Sequence, residues 1–360
     1  MSDKNDRKGY RTCIGTGFIA LDLVTYGHED STPRAWAGGS CGNVLTILAY
    51  MGWKSYPVAR LGHDAAAEAL AADMTRHGVK FQYVAFDDAI HTPIVLQRIL
   101  VDRDGHPTHR FYWTCPNCGN WLPRYSPIRL QDIRVICEDL PHTDCFYFDR
   151  VCPASLRLAA KAKEQHALVV FEPTSIRDDP PFRKAIVSCD VLKYSNEHGK
   201  CSPRTAYESP ARIVVETLGA EGLRYRLRKN GKCGEWHLLP AFRVRNLKDA
   251  AGAGDWCTAG MIDVLTGGAT SFNCVSEKKI VDALRYGQSL SALNCGFEGA
   301  RGAMYGMEKA RFNKQVQCIL DREEGRAPAV DSLAFEIRKK AQCFCPTCQA
   351  TSKRGRKRGK

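Results

Sequence analysis

One segment constrains this chain more than any other. Asn246-Leu247-Lys248-Asp249-Ala250-Ala251-Gly252-Ala253-Gly254-Asp255-Trp256-Cys257-Thr258-Ala259-Gly260 sets small residues and an acid at the mouth of an apolar stretch. Gly252 and Gly254 carry no Cβ, so the backbone can turn tightly and approach a ligand closely. From Trp256 onward, Trp256, Ala259, Met261, Ile262 and Leu265 recur at roughly helical spacing, and Gly267-Gly268 supply a stop. A helix that starts from such a turn offers unpaired amides and a positive dipole end to phosphate. Asp255 would repel that phosphate unless it has a chemical task, such as taking a proton from an attacking hydroxyl. Capping the helix is the plain alternative. The combination suggests phosphoryl transfer to an alcohol.

Asp249 to Gly260 resembles the C-terminal signature of the ribokinase-like (PfkB-type) carbohydrate kinases. Gly38-Gly39-Ser40-Cys41-Gly42-Asn43-Val44-Leu45, then Leu48-Ala49-Tyr50-Met51-Gly52, then Arg60-Leu61-Gly62-His63-Asp64, is similar to that family's N-terminal signature in residues and spacing. Asp22, Phe171-Glu172-Pro173, Asp190 to Glu197 and Thr217-Leu218-Gly219-Ala220-Glu221-Gly222 add matches, so the resemblance covers about residues 12 to 305.

The resemblance implies that Asp255 is the general base and that the amides of Gly252, Ala253 and Gly254 form the anion hole. It implies that Asp22, Gly38, Gly39 and Asn43 hold sugar hydroxyls, and that Thr217, Gly219, Gly222 and Asp249 serve the nucleotide side. The family's Asn-x-x-Glu element, which helps place magnesium and phosphate, falls imperfectly on Ser195-Asn196-Glu197-His198, with Glu197 as the substitute. Ala250 and Ala251 replace the usual threonine after the first aspartate of the C-terminal signature, which puts a monovalent-cation site in doubt. Taken singly, Asp22 reads as a polar loop residue, Asn43 as a helix cap and Gly219 to Gly222 as a plain turn.

Apolar stretches such as Cys13 to Ile19, Cys145 to Phe148, Leu168 to Phe171 and Ile213 to Val215 alternate with helix-like segments at Val44 to Met51, Ala65 to His77 and Leu156 to Gln165. That alternation predicts an α/β fold with a mainly parallel sheet and helices on both faces. Thr92 to Val101 and Thr108 to Trp113, joined by Asp102-Arg103-Asp104-Gly105, read as a hairpin. In the resembling family such strands form a lid over the sugar, also used for dimer contact. The expected lid strands are roughly residues 12–37 and 92–114, and a homodimer through the lid is the implied assembly. His109 and Arg110 read either as lid residues that touch substrate or as charges facing solvent on an edge strand, and the second reading is preferred. The kinase domain is expected over residues 1–330, followed over 331–360 by a C-terminal helix, a cysteine knuckle and a basic tail.

Cys115-Pro116-Asn117-Cys118-Gly119 is a two-residue knuckle whose tight turn can point two thiolates at one metal, and Cys345-Pro346-Thr347-Cys348 is another, with Cys343 nearby. Together they predict a four-cysteine structural Zn2+ site; free or redox-active thiols are the alternative. His142 and Cys145 share the spacing but read as loop and core strand. Lys353, Arg354, Arg356, Lys357, Arg358 and Lys360 place six of the net +13 charges in the last eight residues. Without aromatic residues for base stacking, that run reads as a solvated end, and no nucleic-acid partner is expected.

At 360 residues the chain can bury a full core. No apolar run of about 18 residues appears, so no membrane span is expected, and a charged N-terminus argues against a signal peptide. Seventeen scattered cysteines suit a reducing compartment and hence the cytoplasm. The expectation is an ATP- and Mg2+-dependent kinase acting on a hydroxyl of a sugar or sugar-like molecule. A nucleoside kinase on the same scaffold, or a zinc-stabilised nucleic-acid-binding protein on a relic kinase fold, are the alternatives.

Overall fold

The computed structural model describes residues 10–26, 33–101, 107–196, 209–244, 246–267, 272–321 and 343–350. Its central sheet has nine strands among these residues. The parallel part runs in the order β4 (Lys54–Pro57), β1 (Thr12–Thr16), β9 (Cys145–Phe148), β10 (Leu168–Phe171), β11 (Val191–Ser195) and β12 (Ile213–Thr217). Next come β13 (Gly222–Lys229), antiparallel to β12, and then β14 (Lys232–Cys233) and β15 (His237–Pro240), both paired with β13.

Every residue of β1, β9 and β10 is buried, as parallel strands covered on both faces must be. Successive side chains alternate between two cores. Cys13, Tyr147 and Val170 join one core with the helices Ser40–Tyr50, Ala253–Leu265 and Glu277–Asn294. Ile14, Phe148 and Val169 join the other with the helices Pro153–Glu164 and Pro180–Ser188. Among the described residues no helix is long and apolar enough to cross a membrane.

A second sheet of four strands has the order β3 (Arg34–Gly38), β2 (Ala20–Tyr26), β7 (Ile94–Val101) and β8 (Pro107–Tyr112). The expected hairpin is present, with Leu96 opposite Tyr112 and Ile99 opposite His109, while its turn lies outside the described residues. The lid boundary needs one correction. Thr12–Thr16, expected in the lid, is a fully buried strand between β4 and β9 of the central sheet, and the lid begins at Ala20. A small pair, β5 (Ala59–Leu61) with β6 (Val84–Phe86), connects the two sheets in sequence. Of the C-terminal region, residues 343–350 are described and are helical from 346 to 350; the basic tail lies outside the described residues.

The parallel strands all end at one edge, the place where open α/β sheets bind ligands. The helix Ala253–Leu265 is fixed there by Trp256, which is fully buried between Phe312 (ring centroids 5.4 Å apart) and Tyr50 (6.4 Å). Trp256→Ala is expected to cost about 3–5 kcal/mol in urea unfolding, and Trp256→Phe much less. Equal stabilities of the two variants would contradict this packing role.

Candidate active site

The helix Ala253–Leu265 starts from Gly252, whose φ of 71° lies in the left-handed region. A Cβ there would come 2.2 Å from Ala300 O, so this turn meets the loop at Gly299 to Gly302 only through a glycine. Asp249 stitches the same two segments. It is fully buried, and its carboxylate accepts from Ala251 N and Gly299 N, each at 2.8 Å. Ala253 N closes the turn onto Ala250 O at 3.2 Å, while the amides of Gly252 and Gly254 meet no protein acceptor among the described residues. Free donors therefore stand at the positive end of a helix.

Asp255 lies in the first turn of that helix and accepts a 2.8 Å hydrogen bond from Asn43 Nδ2. Burial pushes its pKa well above the usual carboxylate range and Glu172 adds to the effect, whereas the Asn43 bond and Lys193 pull it back. Beneath the turn, Lys193 of β11 is only 1% exposed. Its ammonium donates to Glu172 Oε1 and, at 3.3 Å, to Gly254 O. Glu172 Oε2 also accepts from Thr258 Oγ1 at 2.6 Å and Tyr147 OH at 3.3 Å. Burial is the largest influence on Lys193 and opposes its charge, yet Glu172, Cys257 and Asp255 together outweigh it and raise its pKa.

Asp22, Trp36, Gln97, Glu298 and Arg301 line a cavity between the lid and the loop at Gly299. Asp22 faces Trp36 across the β2–β3 pair, and a Cβ on Gly38 would lie 1.9 Å from Asp22 Oδ2, so the carboxylate fits only over glycine. Burial raises the pKa of Asp22 to about 7, against the lowering influence of Arg301 and the Gly39 amide. Gly39 is also the N-cap of the helix that carries Asn43. Arg301, 2% exposed, donates through Nη2 to Ala37 O and, at 2.7 Å, to Asp73 Oδ2, which also accepts from Tyr305 OH at 3.0 Å. Its Nη1 meets no hydrogen-bond partner among the described residues.

Thr217 ends β12 at the same sheet edge, and Gly219 (φ 59°) and Gly222 (φ 110°) bracket the turn into β13. Glu197 lies outside the described residues. His109 corrects an expectation. Arg110 is exposed as foreseen, but His109 turns inward: Gln97 Nε2 contacts its Nδ1, and its Nε2 lies 3.0 Å from Asp249 Oδ1. At that distance Nε2 makes no hydrogen bond among the described residues. The lid thereby touches the anion turn. Alternation along the strand was the signal available, because His109 shares its face with Phe111 and not with Arg110; Phe111 is exposed, so the pattern alone gave no inward direction.

Sequence reasoning also missed Lys193, Asp73 and Arg301. A lone charge inside the apolar run Val191–Ser195 was a readable signal for Lys193, since a parallel strand buried on both faces hides whatever it carries. Asp73 and Arg301 come together only through the tertiary fold. The four cysteines of the two knuckles do meet: the sulfurs of Cys115, Cys118, Cys345 and Cys348 all lie within 4.8 Å of one another.

A sheet edge carrying a glycine-started helix, a base candidate and a polar cavity under a β lid defines a phosphotransferase of the ribokinase-like fold. The chain belongs to the pfkB family of carbohydrate kinases, whose model matches residues 10–305. It is 26% identical over 275 residues to an ATP-dependent ribose-1-phosphate kinase of Halopiger xanaduensis, covering 75% of this chain and 84% of that one. It is 23% identical over 323 residues to fructokinase-1 of Zea mays, covering 81% and 94%. Among solved structures, a fructokinase with bound ATP from Xylella fastidiosa superposes with a TM-score of 0.64 at 20% identity, covering 80% of this chain and 93% of that one. The aminoimidazole riboside kinase of Salmonella enterica, complexed with aminoimidazole riboside and an ATP analogue, gives 0.64 at 18%, covering 85% and 100%.

Two outcomes follow from this geometry. Removing the amide that favours the Asp255 carboxylate raises its pKa further, so Asn43→Ala should move the acidic limb of a kcat/KM pH profile to higher pH. A limb that stays put or moves down would break the link. His109→Ala loosens the lid from the turn and should raise the fraction of ATP hydrolysed without phosphorylating the acceptor, measured as ADP formed per product. An unchanged ratio would show that this contact does not exclude water.

Proposed function

We propose that the chain transfers the γ-phosphoryl group of ATP to a hydroxyl of a sugar or sugar-like molecule. Asp255 acts as general base, and the turn from Gly252 through Ala253 to Gly254 receives the anionic charge. The observation that carries this reading is the bond from Asn43 to Asp255, which ties the base to the helix entered from Gly38 and Gly39, directly after the strand that faces Asp22. Asp22, Gly38, Gly39 and Asn43 would orient the acceptor, so that its hydroxyl loses a proton to Asp255 as the phosphoryl group arrives. Positioning and charge stabilisation supply most of the acceleration in such transfers.

Thr217, Gly219 and Gly222 would line the nucleotide, with Asp249 holding the anion turn and Glu197 carried over by resemblance. Mg2+ would neutralise charge between the nucleotide phosphates. The four-cysteine cluster fits a structural Zn2+, because four protein thiolates leave no open position for substrate. The exposed Phe111 and Trp113 at the edge of the lid support a homodimer through that sheet, and the cysteine content supports a cytoplasmic setting.

The cavity favours a neutral acceptor. Asp73 offsets the charge of Arg301, and Arg34 offsets that of Glu298. Asp22, its pKa raised to about 7, is partly protonated near neutrality, so the lining carries little net charge for an anionic acceptor to meet. An alternation of donors and acceptors suits a polyol. A nucleoside is the second reading, supported by Trp36, which lines the cavity and lies 5.0 Å from Tyr305 between ring centroids.

The test is turnover with ATP and Mg2+ across neutral sugars, nucleosides, sugar acids and sugar phosphates, beside Asp255→Asn. One neutral class should turn over, and the variant should lose about 10²–10⁴-fold in kcat. Absence of turnover with every acceptor, or a variant as active as the parent, would overturn the reading.

A further inference from the structure

We infer that Cys115, Cys118, Cys345 and Cys348 hold one Zn2+ that pins the C-terminal segment to the root of the lid, making residues 343–350 a structural part of the kinase. This goes beyond the phosphotransfer reading and stands without it.

The sulfur geometry is the first ground. Cys115 Sγ lies 3.8 Å from Cys348 Sγ, and Cys118 Sγ lies 3.7 Å from Cys345 Sγ. A disulfide needs sulfurs about 2.05 Å apart, so these pairs are not bonded to each other. A tetrahedral centre with zinc–sulfur bonds of about 2.3 Å puts its ligands about 3.8 Å from one another. Thiolates are soft ligands, and a tetrahedral set of four selects zinc over magnesium or calcium.

The backbone around each pair is the second ground. Cys115 N donates to Asn120 O at 2.7 Å and Gly119 N to Cys115 O at 2.9 Å, so the first knuckle is a closed turn. Amides of Asn117 and Cys118 reach the Cys115 sulfur, and that of Asn120 reaches the Cys118 sulfur. Cys345 is buried, and Gln349 N donates to Cys345 O at 3.1 Å where the helical turn at 346–350 begins.

Placement decides what the ion does. The first knuckle leaves directly from β8 through the Thr114–Trp121 bridge, with Leu122 N donating to Trp113 O at 2.8 Å. It then returns to β7, where Ile94 N donates to Pro123 O at 3.0 Å. Both long lid strands are therefore clipped to it. The partner cysteines lie 227 and 233 positions away along the chain. Phe344 and Cys348 pack on the core that also contains Cys115 and Leu122. A metal clip between such remote segments removes a large part of the freedom of the intervening chain.

The experiment uses the full chain carrying an inserted protease site between residues 322 and 342. Metal analysis of the purified protein should give about one zinc per chain, and Co2+ exchange should give thiolate-to-cobalt charge transfer with tetrahedral d–d bands. Cys345→Ser and Cys348→Ser should each abolish both signals. After cleavage, the C-terminal fragment should co-elute with the rest of the chain in size exclusion and separate on chelation. A chain with no metal, a ferric tetrathiolate spectrum, a mass two units lower per disulfide, or a fragment that ignores chelation would each overturn the inference. None of these readouts uses kinase turnover, so failure here and failure of the proposed activity are separable.

Discussion

The ammonium of Lys193, sealed at the centre of β11, is the charge around which this edge of the sheet is arranged. It holds Glu172 on one side and the carbonyl of Gly254 on the other, and Glu172 in turn holds Thr258 one helical turn along. The anion turn is thus tied to the central sheet by a pair that cannot be loosened cheaply. Removing one partner of such a buried pair leaves an uncompensated charge, at a cost of about 3–5 kcal/mol. The same negative charge on Glu172 adds to the burial that raises the Asp255 pKa, so one cluster both fixes the turn and tunes Asp255.

A second buried cluster plays the matching part at the wall of the cavity. Asp73 binds Arg301, Tyr305 and the amide of Ala37, linking the helix Ala65–Arg76 to the lid strand β3 and to the loop after Gly299. That loop is also held by Asp249 and by Trp256 Nε1, which donates to Ala300 O at 3.1 Å. The turn at Gly252, the cavity wall and strand β3 therefore share one set of struts. His109 extends that set from the lid to Asp249, so a change in the lid would be felt at the anion turn.

Much of this was legible in the sequence, for physical reasons that differ from part to part. Gly252 in the anion turn and Gly38 and Gly39 before Asn43 stand where a Cβ has no room, so they appear as residues at fixed spacing beside the polar groups they serve. Strands β9 and β10 are apolar throughout because helices cover both faces. The cysteine knuckles were visible because metal ligation demands a two-residue gap, and the structure brings their sulfurs together. Other parts were not legible. The lid boundary was misplaced because Thr12–Thr16 carries the same β-forming character in either sheet, and only its neighbours decide. Asp73 and Arg301 lie more than two hundred residues apart, and their pairing follows from the path of the chain rather than from any local pattern. The inward turn of His109 brings it to Asp249, which is 140 positions away and is placed there only by the path of the chain.

An acceptor held in the cavity walled by Asp22 and Arg301 would present its hydroxyl to Asp255. A crystal structure with the preferred acceptor and a non-hydrolysable ATP analogue tests this placement most directly. One acceptor oxygen is expected within about 2.6–3.2 Å of an Asp255 oxygen, with the remaining hydroxyls on Asp22 and the open edge of Arg301. An acceptor bound away from this cavity, or one whose reactive oxygen meets a different base, would contradict it.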